Sequence, residues 1–124
     1  MSFSDYWEDV ILDLILEDNL WVGLSTANPL DDATGLAEPV GNGYARVAVT
    51  TATWDPASGG SKDNGLTVTF IEASGGWGTV TYFCLFDAET LGNLLMSFVL
   101  SDSKIIVSGD IPRFSAGQLV VNLD

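Results

Sequence analysis

The chain has 124 residues, 47% of them apolar, with 17 acidic and four basic side chains, one cysteine and no histidine, for a formal net charge of −13. That length fits one domain around one core. The charge sets the chain against nucleic acid and anionic membranes, because its few cations cannot neutralise phosphates and its field repels a polyanion. Without histidine there is no Ser-His-Asp triad, no Cys-His pair and no histidine-based zinc site.

Mean hydropathy is positive, which is unusual beside so much negative charge. Part of the apolar surface is therefore expected to be buried against a neighbouring subunit. The lone Cys84 lies in an apolar run and reads as a buried thiol, and it excludes an intrachain disulfide. The acidic start of the chain does not fit a signal peptide. No apolar run approaches the roughly 20 residues that span a bilayer. Synthesis and folding in a cytoplasm is the corresponding expectation.

Residues 3–17 are predicted to form an amphipathic helix. Phe3, Trp7, Val10, Ile11 and Leu14 repeat at helical spacing, with Asp5, Glu8, Asp9 and Asp13 on the other side. Ser2 or Ser4 can cap its start and Asp18-Asn19 can stop it. The helix either closes one end of the β domain or packs as an arm on another subunit. Residues 1–18 are thus assigned to this helix and 20–124 to a single β-sandwich domain.

Residues 20–25 read as the first strand and 28–42 as a long loop. Residues 44–51 alternate and are β-branched, so they read as a strand. A polar loop at 55–65 precedes a strand at 66–72. Residues 78–86 and 94–101 are expected to pair as a hairpin across the Asp87 to Asn93 turn. Three further short strands are read at 104–108, 111–115 and 118–122. Short strands at even spacing predict an all-β fold, a β-sandwich or a jelly-roll-like barrel of short antiparallel strands, with one N-terminal amphipathic helix.

No catalytic residue, metal site or cofactor is assigned. The carboxylate pairs Asp31/Asp32 and Asp87/Glu89, which could serve glycoside hydrolysis, fall in solvated loops. Asp31, Asp32 and Glu38 offer hard oxygens for calcium, against ordinary loop charge. Arg46 sits in a strand with Tyr44 on the same face. It either bridges to a carboxylate of its own chain or, with Tyr44, anchors a subunit contact. Trp54 and Trp77 flank polar loops and read as core or rim aromatics, or as a sugar-stacking platform.

Several segments together resemble a known family. They are Leu-Ser-Thr-Ala-Asn-Pro (24–29), Gly-Leu-Ala-Glu-Pro-Val-Gly-Asn-Gly-Tyr-Ala-Arg-Val-Ala-Val (35–49) and Trp-Gly-Thr-Val-Thr-Tyr-Phe (77–83). Leu-Phe-Asp-Ala-Glu-Thr-Leu-Gly-Asn-Leu-Leu (85–95) and Phe-Ser-Ala-Gly-Gln-Leu-Val-Val-Asn-Leu (114–123) complete the set. In order and character they resemble a family of small virion proteins of tailed bacteriophages, labelled tail fibre proteins. The family pattern has a longer loop between helix and first strand, and contacts of that loop are not carried over.

The resemblance implies a non-enzymatic structural protein of the virion. A compact chain of this size fits a capsid decoration or cement protein that stabilises the shell. The alternatives are a tail fibre or tail adaptor component, and a carbohydrate-binding β-sandwich for host adhesion. The expected partners are the chain itself, as a homotrimer, and major capsid or tail proteins. Trp7, Ile11, Tyr44 and Arg46 are the candidate interface residues.

Overall fold

The computed structural model describes residues 3–16 and 19–123. Helix α1 spans Asp5–Ile15, with Ser4 as N-cap in extended conformation. The Ser4 hydroxyl accepts from the Trp7 N–H at 3.2 Å, satisfying one of the orphan donors of the first turn. Ser2, the alternative cap, and Asp18, part of the expected stop, lie outside the described residues.

The strands are β1 (Leu20–Ser25), β2 (Val47–Val49), β3 (Ser61–Asp63), β4 (Val68–Thr69), β5 (Gly78–Phe86), β6 (Leu94–Ile106), β7 (Arg113–Phe114) and β8 (Val120–Asn122). They form one four-stranded sheet in the order β2-β1-β5-β6 and two two-stranded ladders, β3-β8 and β4-β7. Every pairing is antiparallel. The fold is all-β with one short helix, as expected. The four-stranded sheet ends openly at β2 and β6 among the described residues, so the barrel alternative falls.

One core joins these parts. Val22, Leu24, Val80, Phe83 and Leu85 of the large sheet pack with Val68, Phe70, Phe114, Leu119 and Val121 from the two ladders and their flanks. Leu12 and Leu16 enter the same cluster from α1 and its C-cap. Buried Asn64 ties the loops together. Its Nδ2 donates to the carbonyls of Leu66, Phe114 and Ser115 at 2.8–3.1 Å, and its Oδ1 accepts from Leu119 N–H at 2.9 Å.

Strands β1 and β5 match the predicted bounds. Elsewhere the elements differ from expectation for identifiable reasons. The strand read over 44–51 shrinks to β2, because the Thr53 hydroxyl takes the Thr50 N–H and turns the chain into a 3₁₀ turn at Thr51–Thr53. The polar loop at 55–65 contains β3, whose partner β8 supplies the apolar side that β3 lacks. The segments 94–101 and 104–108 fall largely within one 13-residue strand. Its Ser-Asp-Ser stretch is a bulge opposite Thr81, not a break.

Of the two readings of α1, closure of the β domain by the Phe3, Trp7, Val10 and Leu14 stripe is not what the structure has. Leu12 and Leu16 are fully buried and Glu8 nearly so, while Phe3, Tyr6, Trp7 and Leu14 are exposed and Val10 and Ile11 half-buried. Glu8 and Asp9 go inward beside the leucines, and the 57–62 segment supplies donors to Asp9 and, at the edge, to exposed Asp13. Asp9 accepts from Gly60 N–H at 2.7 Å and Asp13 from Ala57 N–H at 2.9 Å. Asp13 also pairs with Lys62, and the Glu8 carboxylate lies against Gly60. Carboxylates placed at a protein interior need such partners, and this loop provides them.

Candidate functional site

Around Gly23 the sequence builds a polar lock on the edge of β1. The β1–β2 ladder ends at Val22–Val47. Beyond it the Leu24 N–H donates instead to the Tyr44 hydroxyl at 2.9 Å. That hydroxyl donates onward to Glu38 Oε2 at 2.6 Å. A Cβ on Gly23 would lie 2.8 Å from Phe86 Cε2, 2.9 Å from the Tyr44 hydroxyl and 3.0 Å from Glu38 Oε2. Only a residue without a side chain lets the three groups meet there.

Arg46 closes the lock. Its Nε and Nη2 hold the Glu38 carboxylate at 3.0 and 2.7 Å, a bidentate pair. Nη1 donates to the carbonyls of Ala88 and Leu91 at 2.9 and 2.8 Å. The guanidinium lies over the Phe86 ring, and the side chain is 7% exposed. Leu91 has a φ of 54°, a left-handed conformation costing a non-glycine residue about 1–3 kcal/mol. Its carbonyl is held there by Arg46. The Glu38 loop and the β5–β6 connection are thereby fastened to one cation.

Electrostatics fit a structural role for these groups. Burial, then the hydrogen bond to Glu38, raises the Tyr44 phenol well above its ordinary value, so it keeps its proton. Desolvation opposes the Arg46 cation, but the hydrogen bonds and charge of Glu38 outweigh it and the pKa rises. Burial, with the charge of Glu38, pushes the Cys84 thiol up to about 12, far from a reactive thiolate. Ser25 ties the same loop from beneath, donating to Ala27 O at 2.7 Å and accepting from Ala37 N–H at 3.1 Å.

Among the sequence candidates, Tyr44 and Arg46 come together here through Glu38 and spend their donors within the chain. Of the two readings of Arg46, the carboxylate bridge within its own chain is present. Trp7 and Ile11 lie on α1, Trp7 facing outward and Ile11 half-buried. Trp54 and Trp77 are core residues, 6% and 4% exposed, so neither offers a face for a sugar. Trp77 is fixed by its Nε1–H donating to Asn42 O at 2.9 Å, with Tyr44 at its edge. Glu38, engaged by Arg46 and Tyr44, is removed as a third calcium ligand beside Asp31 and Asp32. Among the described residues no group of three or more His, Cys, Asp or Glu is placed to hold a metal ion.

Sequence reasoning missed Gly23, Phe86 and the pairing of Glu38 with Arg46. The only signal for the pair was that Arg46 sat in an apolar strand and needed a carboxylate somewhere.

A second feature lies on the outside. Exposed Trp7 and Leu14, with half-buried Val10, follow one another along α1, and exposed Phe3 precedes its N-cap. Beside them runs an open groove of about 600 Å³, lined by Val10, Leu14, Thr51, Trp54 and Pro56, with Asp13 and Lys62. A smaller cleft of about 350 Å³ lies over the lock, between exposed Val40 and Leu91.

Fold and site together define a small all-β module whose charged cluster fastens its loops and whose helix presents apolar side chains outward. Residues 2–122 match the family model described as Podophage GP4 fiber I protein gp80. The chain belongs to that family of phage fibre proteins, a virion-associated class. No curated protein matches it.

Proposed function

We propose that this protein is a non-enzymatic structural component of a tailed-phage particle, seated in a tail fibre or its attachment, and that it works by assembly. The observation that carries this reading is the family match across nearly the whole chain. The interior lock supports it, since Arg46, Glu38 and Tyr44 stiffen the loops instead of addressing a substrate. The apolar residues left on the outside of α1 supply contact surface, and contiguous exposed patches of this kind mark interaction sites. A capsid decoration role remains the second arrangement that a compact acidic chain would fit, and the fibre family favours the tail. Partners are other proteins of the particle, with a homo-oligomer as the second arrangement.

Cryo-electron microscopy of purified particles, read for position and copy number, tests this. Density confined to the tail supports the fibre reading. Density repeated over the shell replaces it with decoration, and absence of the chain from particles overturns both.

A further inference from the structure

The reversed docking of α1 has a chemical signature. An amphipathic helix ordinarily hides its apolar stripe. Here the acidic stripe is held by Gly60, Ala57 and Lys62, which leaves Phe3, Trp7, Val10 and Leu14 along the outer side. The stripe continues into the groove beside Trp54 and Pro56. Buried apolar area is the main source of affinity in protein association, and aromatic anchors such as Trp7 carry much of it.

Charge decides what covers this surface. Exposed Asp13 borders the stripe on α1 and lines the groove, and exposed Asp55 stands between Trp54 and Pro56. The chain's four cations do not offset them. Arg46 is enclosed in the lock, Lys62 is buried at the groove and paired with Asp13, and Lys104 lies over the Phe114 ring. Arg113 belongs to β7. A second copy brought face to face on this stripe would set the same acidic rim against itself, with −13 on each chain. Like-charge juxtaposition is what suppresses wrong partners.

Resting on the fibre reading above, we infer that the outer face of α1 and its groove seat an apolar segment flanked by Lys or Arg on a different protein of the phage particle, and not a second copy of this chain. The apolar side chains of that segment fill the groove against Val10, Leu14 and Pro56. Its cations meet Asp13 and Asp55 at the rim. The acidic rim then selects the partner and speeds encounter, while the stripe holds it.

The test is photo-crosslinking in intact particles, with p-benzoylphenylalanine in place of Leu14 and, as a control, in place of Val40, which is 92% exposed on the other cleft. The expected result is a crosslink from position 14 to another virion protein, at a peptide with apolar residues next to Lys or Arg. Asp55→Lys should lower incorporation into particles severalfold, and the double variant Trp7→Ser, Leu14→Ser at least tenfold, with circular dichroism unchanged. Crosslinks to a second copy, to a peptide without basic residues, or equally from position 40 overturn the inference. So does a particle that contains the chain but gives no crosslink from position 14. A particle lacking the chain altogether overturns the fibre reading as well, so the two failures are told apart.

Discussion

The guanidinium carbon of Arg46 lies 3.4 Å from the centre of the Phe86 ring. That contact places the cation on the last residue of β5 while its nitrogens hold Glu38 on one loop and the carbonyls of Ala88 and Leu91 on another. A strand end and two connections depend on one side chain, and few residues could replace it. Lysine carries the charge but not the planar fork that serves the carboxylate, both carbonyls and the ring together.

Replacing Arg46 by Ala should therefore destabilise the protein by about 3 kcal/mol, because it leaves Glu38 largely enclosed without its counter-charge. Arg46→Lys should cost part of this. The double variant Glu38→Gln, Arg46→Met should recover much of the loss, since no ion is left unpaired. Urea unfolding of the set measures it. If Arg46→Ala moves the midpoint by less than about 0.5 kcal/mol equivalent, in the range of ordinary surface substitutions, the lock is not a stabilising unit.

Gly23→Ala makes a steric prediction at the same place. The new methyl would lie under 3.0 Å from Phe86 and from the Tyr44 hydroxyl. Overpacking of this kind costs about 1–3 kcal/mol. The shift should register in the near-ultraviolet circular dichroism of Tyr44 together with a lowered Tm. Wild-type values for both would mean that the ring and phenol have room the geometry denies them.

How much of this was legible in the sequence depended on where each piece of information sits. Strands β1 and β5 carry their own signal, because runs such as Leu20 to Ser25 are apolar and bounded by turns. Strand β3 does not, since Ser61, Lys62 and Asp63 are polar and become a strand only by pairing with β8. The periodicity of α1 was correctly helical, while its orientation stayed open between two readings. Period gives two faces and leaves the choice between them to the partner surface. Here that surface is a loop with backbone donors at Ala57 and Gly60, invisible to any pattern within residues 3–17. Arg46 advertised a need for a carboxylate, but 17 acids were available and nothing local singled out Glu38.

Acid should loosen α1. The hydrogen bond from Lys62 and then that from Ala57 hold the Asp13 carboxyl below its ordinary 3.8. A depressed carboxylate contributes stability that is fully present above its unfolded value and fades as pH falls through its folded value. The stabilisation is thus intact at neutral pH and is lost below about pH 4. Asp13→Asn removes this contribution. Its stability should lie below wild type at neutral pH and converge on it in acid, followed by denaturant unfolding at stepped pH. Parallel curves with a constant gap down to pH 2 would contradict the assignment.

Helix α1 yields the sharpest contrast, because two leucines two residues apart are given opposite fates. Leu12 is fully buried in the core and Leu14 is 64% exposed. Removing buried methylenes costs transfer energy and leaves a cavity, so Leu12→Ala should destabilise by about 2–5 kcal/mol. Leu14→Ala, which empties nothing, should stay within about 0.5 kcal/mol of wild type. The reading in which the apolar stripe closes the β domain predicts the reverse order, with Leu14 facing the interior. Chemical denaturation of the two single variants separates the orientations without reference to any partner. A larger loss for Leu14→Ala would return the apolar stripe to the interior, and the docking surface assigned to it would disappear.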